Sequence, residues 1–207
     1  MEKRIFSIEL RANESDPNRL VGYAAVFGQR SQLLYKRFYE VIQPGAFASA
    51  LGNNNDIRAL WNHNPDFPLA RTKNGTLRLQ EDAHGLRVEI VPPDTSWGRD
   101  AMASIKRGDV DQMSFAFDVG ENGQLWEQLP DGLLLRTLKD LDLSEVSPVT
   151  FPAYTGTAIS ARAIDLGDQP EIPLDLRGDP AEIVASLARA RSETRKRRMA
   201  LHKYSLK

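Results

Sequence analysis

The sequence predicts a mainly β protein with some α structure, in which a β-barrel is surrounded by a few helices and followed by a C-terminal helical tail. Three observations predict this fold class. Short segments with strand-like patterns recur through the first 160 residues, tight-turn signals separate some of them, and helical patterns stay short until the C-terminus. At 207 residues, the chain is long enough for one full core and an appendage.

Most of the first 160 residues are predicted to form strands. In the segment 85–91, Leu86, Val88 and Ile90 alternate with polar residues and therefore share one face of a strand. Tight turns are predicted at residues 122–123 (Asn-Gly) and 131–132 (Asp-Gly). The predicted strands cover residues 3–11, 20–28, 56–61, 76–81, 85–91, 112–119, 124–128, 133–137 and 140–150.

Two short helices are predicted between these strands. Pro44 is suited to the first turn of a helix, and the helix that it opens is expected to end at Gly52. A second helix is expected to start at Ser96 and to end at Gly108. Both are short, so the sheets carry most of the predicted core.

The character of the chain changes after about residue 161. Residues 165–180 contain Asp, Gly and three prolines, a composition typical of linkers, and a helix with a basic face follows. Residues 181–207 carry eight Lys or Arg against two Glu, a local charge of +6, whereas the whole chain carries −1. The sequence therefore predicts a folded domain at residues 1–162, a linker at 163–180 and a basic helical tail at 181–207.

Composition excludes several classes of protein. The chain has no cysteine, which excludes thiol catalysis, disulfides and cysteine-based zinc sites. No apolar run approaches the roughly 18 residues that a membrane-spanning helix needs. The first residues lead directly into strand-like sequence without the apolar stretch of a signal peptide. A cytoplasmic protein without cofactors is therefore expected.

His63 is the first candidate for chemistry. It follows the apolar run 59–61 and precedes turn-forming residues, so an imidazole is expected where the chain leaves the sheet. The alternative is a loop histidine that bonds a backbone carbonyl. His84 is expected at a solvent-facing turn, and His202 lies in the basic tail. Separations of 21 and 118 residues between these histidines match no compact pair of zinc ligands.

Ser114 is the second candidate. In a strand over 112–119, Met113, Phe115 and Phe117 share one face, while Ser114 and Ala116 share the other. The bulky face is expected to join the core, which leaves a small hydroxyl on a face that has room for a substrate backbone. A nucleophilic serine also needs a base within hydrogen-bond reach. The alternative is a structural serine that bonds a neighbour.

Glu145 is the third candidate. Strand alternation predicts that it shares a face with Leu141, Leu143 and Val149, where an unpaired carboxylate would be costly. Accepting a hydrogen bond from an imidazole would offset that cost and orient the ring. The alternatives are a Glu that pairs with Arg or Lys, or an edge strand in which alternation means little. Asp140 and Asp142 remain competing orienting residues, because a slip of one residue reverses the face.

Five blocks between residues 4 and 160 carry a resemblance to a known family. In this order, they resemble the prohead (capsid maturation) proteases of tailed phages, a family with distant similarity to the herpesvirus capsid maturation proteases. The 38–47 block is interpreted as helix packing that defines the fold. The blocks are GYAAVF at 22–27, FYEVIQPGAF at 38–47, LWNH at 60–63, SFAF at 114–117 and LSEVSPVTFPA at 143–153.

The resemblance implies a serine endopeptidase on a β-barrel surrounded by helices. It implies that Ser114 is the nucleophile, that His63 is the general base and that Glu145 is the third member of a triad. It also implies that the substrates are the phage major capsid protein and scaffold, cleaved inside the assembling procapsid in the host cytoplasm. A homo-oligomer within the prohead and self-cleavage that removes the tail are further expectations; membrane and nucleic-acid partners are not expected.

Two other functions remain open at this point. One is a catalytically inactive assembly or scaffolding module of the procapsid, a role that the helix-forming tail favours. The other is a barrel that binds nucleic acid through the basic tail, although the acidic charge of residues 1–180 argues against it.

Overall fold

Strands dominate the structure, as the sequence predicts. The computed structural model describes residues 1–6, 10–53, 55–150, 168–173 and 176. The twelve described strands are β1 (Glu2–Phe6), β2 (Arg11–Ala12), β3 (Leu20–Val26), β4 (Phe38–Ile42), β5 (Arg58–Trp61), β6 (Asn64–Arg71), β7 (Leu77–Glu81), β8 (Gly85–Ile90), β9 (Gln112–Val119), β10 (Gln124–Gln128), β11 (Leu134–Leu138) and β12 (Leu141–Val149). The two described helices are α1 (Ala48–Gly52) and α2 (Ser96–Arg107).

The described strands form three sheets. Their orders are β1-β9-β12-β5-β6, β10-β11-β4 and β2-β3-β8-β7. A mainly β fold with a few helices is thus confirmed. A closed barrel is not, because each of these sheets ends in edge strands that make no pairing with another sheet in the described part of the chain.

Strand β9 lies between β1 and β12 in the five-stranded sheet and has the two faces that its sequence predicts. Met113, Phe115 and Phe117 are fully buried and belong to the hydrophobic core. Phe115 stacks on Phe117 with ring centroids 5.1 Å apart and meets Phe47 edge-to-face at 5.5 Å. The opposite face carries Ser114 and Ala116 and contributes neither to this core cluster.

A bulge in β12 corrects the predicted face of Glu145. Leu143 pairs with Phe117, but Glu145 pairs with Ala116, so the register shifts by one residue between them. The shift reverses alternation, and Val146 joins Leu141 and Leu143 in the core instead of Glu145. Glu145 therefore lies on the face of Ser114 and Ala116. The expectation that it shares a face with Leu141 and Leu143 was wrong, because a bulge cannot be read from alternation alone.

The helix bounds predicted from the sequence match α2 more closely than α1. The Thr95 hydroxyl caps α2 by accepting a hydrogen bond from the Gly98 N–H at 3.2 Å, and Gly108 ends it with a φ of 85°. Helix α1 covers only Ala48–Gly52, because the residues from Pro44 onward form turns instead of a first helical turn. Its Ala50 packs into the core beside Phe47.

Two strands were missed. Strand β4 occupies the first half of the 38–47 block, which was interpreted as helix packing. Strand β6 follows His63 directly, so the chain re-enters the sheet where it was expected to leave. Strand β6 contains two prolines, which argue against a strand when only the sequence is considered. They are tolerated because β6 is an edge strand.

The described residues divide into two compact units. The first contains Met1–Arg30, Val41–Leu125 and Thr137–Pro170, and the second contains Ser31–Glu40, Trp126–Arg136 and the described residues from Glu171 onward. Within the second unit, the buried Arg136 Nη1 donates to Glu40 Oε2 at 2.9 Å and its guanidinium lies 5.5 Å from the Trp126 ring centre.

The predicted tail, 181–207, lies outside the described residues, as does the predicted linker except for 168–173 and 176. No helix in the described ranges is both long and apolar enough to cross a membrane.

Candidate active site

His63 occupies the turn between β5 and β6. Trp61 pairs with Asn64, so Asn62 and His63 form a two-residue hairpin turn. Their φ angles are 51° and 60°, and type I′ turns require positive φ at both positions. Asn and His are, with Asp, the residue types that adopt positive φ most often after glycine, so both suit this turn. The turn thus fixes the backbone that carries the ring.

Asn62 ties this turn to the end of β12. Its backbone N–H donates to the Pro148 carbonyl at 3.0 Å. Its side-chain amide donates to Thr150 Oγ1 at 3.0 Å, and the Thr150 N–H donates back to Asn62 Oδ1 at 2.9 Å. These hydrogen bonds hold the His63 turn against the end of the strand that carries Glu145. Asn62 is not among the candidates predicted from the sequence, although an Asn in a tight turn before a candidate histidine is a usable signal.

His63 and Glu145 are in direct contact. His63 Nδ1 hydrogen-bonds to Glu145 Oε1. Glu145 is 6% exposed and the His63 side chain 16% exposed, so the pair is largely shielded from water. A carboxylate only accepts, so this hydrogen bond uses a proton on Nδ1, and in a neutral imidazole the lone pair is then on Nε2. Within the described part of the chain, buried Nε2 has no hydrogen-bond partner.

The two competing carboxylates lie elsewhere. Asp142 is exposed, and its Oδ1 lies 3.4 Å from the Asn55 side-chain amide. Asp140 lies in the turn before β12, where its backbone carbonyl accepts from Gly120 and its side chain lies near that glycine. Of the three candidates for orienting His63, Glu145 is the one that contacts it.

His63 and Glu145 form a cluster, and Ser147 is its third member, which the sequence did not indicate. Its hydroxyl donates to Glu145 Oε2, and the residue is fully buried. Both residues point to the same face because they are two apart on β12 beyond the bulge. Each oxygen of the Glu145 carboxylate thus has a partner, His63 for one and Ser147 for the other.

Ser114 lies across from Ser147 on the neighbouring strand. The two residues pair directly in the antiparallel register of β9 and β12, so their side chains share one face at a typical separation of about 5 Å between Cβ atoms. Ser114 is fully buried, and its hydroxyl donates to the Arg4 carbonyl of β1 at 2.9 Å. The structure therefore places Ser114 beside the cluster without a hydrogen bond to His63.

Strand β1 is held firmly at this point. Arg4 pairs with Phe115 in the β1–β9 register, its side chain is 2% exposed, and its guanidinium lies 5.4 Å from the Phe117 ring centre. Its Nη2 also donates to Glu2 Oε2 at 2.6 Å. These contacts fix the carbonyl that accepts from Ser114.

The other histidines do not join the cluster. His84 is exposed at the turn between β7 and β8, where its ring meets Tyr23 edge-on at 4.7 Å, and His202 lies outside the described residues. Within the described ranges, no three His, Asp or Glu side chains are grouped so that they could hold a metal ion.

The sequence matches a family model described as caudovirus prohead serine protease over residues 6–170. The chain belongs to this family. The match spans all three candidate residues of the triad and confirms the resemblance. This prohead protease is accordingly a member of a serine protease family whose role is phage capsid maturation. Neither the curated proteins nor the solved structures contain a match to the chain.

Proposed function

We propose that this prohead protease cleaves capsid and scaffold subunits by acyl transfer, with Ser114 as nucleophile, His63 as general base and Glu145 as the residue that orients the imidazole. One observation carries the proposal: the His63 Nδ1 hydrogen bond to Glu145 Oε1 leaves a buried, basic Nε2 without a partner. That is the state a general base needs before it takes a proton.

In the proposed reaction, the Ser114 hydroxyl first exchanges its bond to the Arg4 carbonyl for a bond to His63 Nε2. Its oxygen then attacks the scissile carbonyl carbon while Nε2 takes its proton, which forms an oxyanion. The C–N bond breaks as the imidazolium returns the proton to the leaving amine. Water repeats the sequence on the acyl-enzyme and releases the acid.

Glu145 contributes by holding the ring and by stabilising the imidazolium. Since its carboxylate is buried, its charge acts on His63 with little screening by water. The hydrogen bonds between Asn62 and Thr150 also help to hold the His63 ring, because they fix the turn that carries it.

Membership of the prohead protease family supports an inference about where the protein acts. We infer that the protein works inside the assembling procapsid in the host cell, on the major capsid protein and scaffold, as a homo-oligomer there. We further infer that self-cleavage removes the basic tail at 181–207, which first directs the enzyme to the shell.

The experiment is co-expression with the major capsid protein of the same phage, followed by mass spectrometry of the products. Wild type is expected to trim the capsid protein and its own C-terminus, whereas Ser114→Ala trims neither. Ser104→Ala is the matched control, because Ser104 is half-buried on α2 and its hydroxyl donates to the Asp100 carbonyl of the same helix. Processing by the Ser114→Ala variant would exclude Ser114 as nucleophile, and an intact C-terminus in wild type would exclude self-cleavage of the tail.

A second function has one observation in its favour. The Ser114 hydroxyl bonds the Arg4 carbonyl instead of His63, which is the arrangement expected of an inactive assembly module. A fluorophosphonate probe separates the two, because covalent labelling at Ser114 requires an activated hydroxyl. Labelling supports the protease. Absence of labelling both in solution and in proheads supports the assembly module.

A further inference from the structure

We propose that Ser147 is a positioning residue of this site: its hydroxyl holds the second oxygen of the Glu145 carboxylate and thereby fixes the orientation and tautomer of His63. The proposal rests on the proposed roles of His63 and Glu145. It adds to them a residue that acts through the Glu145 carboxylate.

The first argument is the hydrogen-bonding demand of a buried carboxylate. Glu145 is 6% exposed, and one of its oxygens is used by His63. A second oxygen without a donor would carry a desolvation penalty that the site could relieve by rotating the carboxylate away from the ring. The Ser147 hydroxyl removes that penalty.

The second argument is geometric. A carboxylate that is hydrogen-bonded at one oxygen can rotate about its last side-chain bond, whereas hydrogen bonds at both oxygens prevent this rotation. His63 holds Oε1 from the β5–β6 turn, and Ser147 holds Oε2 from β12 itself. The two contacts come from different elements, so together they fix the plane of the carboxylate relative to the sheet.

The third argument concerns why the residue is small. Ser147 pairs directly with Ser114 across β9 and β12 and is fully buried. A larger side chain at 147 would press on residue 114, and an apolar one would leave Glu145 Oε2 unsatisfied. Serine meets both conditions, because it combines a donor with a small volume.

The bulge in β12 makes this arrangement feasible. It turns Glu145 and Ser147 together onto the face of Ser114 while Leu143 and Val146 stay in the core. Bulges are frequent next to active sites, where they redirect a side chain.

The test compares Ser147→Ala and Ser147→Cys with wild type. Cysteine keeps the approximate shape of serine but is a weak donor, so it separates packing from hydrogen bonding. Ser104→Ala is the matched control, since it removes a hydroxyl from a half-buried position on α2, outside β12 and its bulge. Thermal unfolding of each variant shows whether it is folded, and the cysteine variant decides if the alanine variant is not.

The first readout is the rate of fluorophosphonate labelling at Ser114, separated into binding and the maximal rate of the covalent step. We expect Ser147→Ala and Ser147→Cys to lower the maximal rate about tenfold to a hundredfold and to leave probe binding unchanged. Ser104→Ala is expected to match wild type. A wild-type maximal rate in both Ser147 variants would overturn the proposal, and full recovery by cysteine would show that residue 147 acts through packing alone.

The second readout does not depend on activity. In a Ser114→Ala background, the His63 Nδ1 proton is followed by NMR as a low-field resonance, assigned by its loss in His63→Gln. Removing the Ser147 hydroxyl is expected to shift or broaden this resonance, and an unchanged resonance would overturn the proposal. If wild type fails to label at Ser114 in solution and in proheads, the proposed function fails, and this resonance alone decides the role of Ser147.

Discussion

Replacement of Glu145 by glutamine perturbs the site most directly. The carboxylate accepts two hydrogen bonds, from His63 Nδ1 and from the Ser147 hydroxyl. Glutamine offers one acceptor oxygen and one amino group, so the two donors compete for a single oxygen. If the Ser147 hydroxyl keeps its hydrogen bond to that oxygen, the amino group faces His63 and donates to Nδ1. The imidazole proton then lies on Nε2, which can no longer act as the general base.

The size of the loss follows from this competition. The Glu145→Gln variant loses both the charge that stabilises the imidazolium and the preference for the Nδ1–H tautomer. Neutralising the orienting acid of a serine triad lowers kcat by about 10⁴, and rotation of the Ser147 hydroxyl recovers part of that. We expect a fall of about 10³ to 10⁴, equal to about 4 to 5.5 kcal/mol of transition-state stabilisation. Because glutamine has nearly the same shape, the free energy of unfolding should change by at most about 2 kcal/mol.

The assay is processing of the co-expressed capsid protein, together with the rate of fluorophosphonate labelling. Asp142→Asn is the matched control, because it also replaces a carboxylate of β12 by a neutral amide. Asp142 is exposed, however, and faces Asn55. This control is expected to keep wild-type rates. Wild-type activity of Glu145→Gln together with loss in Asp142→Asn would refute the reasoning and make Asp142 the orienting residue.

Three further predictions concern the surroundings of the site and the stability of the fold. Asn62→Ala should destabilise the protein by about 1 to 2 kcal/mol in thermal unfolding, because alanine resists positive φ and loses the side-chain bonds to Thr150; Asn62→Gly should lose less stability, and equal loss would contradict the strain argument. Arg136→Met should cost about 3 to 5 kcal/mol in urea unfolding because it removes the guanidinium that pairs with the buried Glu40, and Arg136→Met/Glu40→Leu should regain most of it. The hydrogen bond from Tyr23 holds the pKa of Asp82 below its usual range, so its stabilisation is present above the unfolded-state pKa of about 3.9 and is lost as the pH falls through the lower folded-state value. Thermal midpoints measured between pH 7 and pH 2 should therefore fall less steeply for Asp82→Asn than for wild type, and parallel curves would exclude the contact as a source of acid sensitivity.

Local patterns predicted the elements whose signals are complete within a few residues. Helix α2 carries its own cap and its own terminating glycine. Strand β9 alternates large apolar and small residues without interruption, and the faces predicted for Phe115 and Ser114 are the observed ones. Here short-range physics and tertiary packing favour the same structure.

Strand β6 could not be predicted in the same way. Pro65 and Pro68 remove two backbone donors, which ordinarily argues against a strand. The strand forms because β5 supplies a partner on one side and because its other edge has no ladder to complete within the described sheet. A short segment of sequence does not show that a strand will lie at an edge.

His63 and Ser114 were identifiable as candidates from the chain alone, and so was Glu145, because residue type and local pattern limit which side chains suit acid–base chemistry. Their arrangement depended on contacts between residues far apart in sequence. The bulge in β12 placed Glu145 on the Ser114 face, the β9–β12 register set Ser147 opposite Ser114, and β1 brought the Arg4 carbonyl to the Ser114 hydroxyl. The physical reason is that alternation and capping act over a few residues, whereas register and bulges are set by the strands on either side.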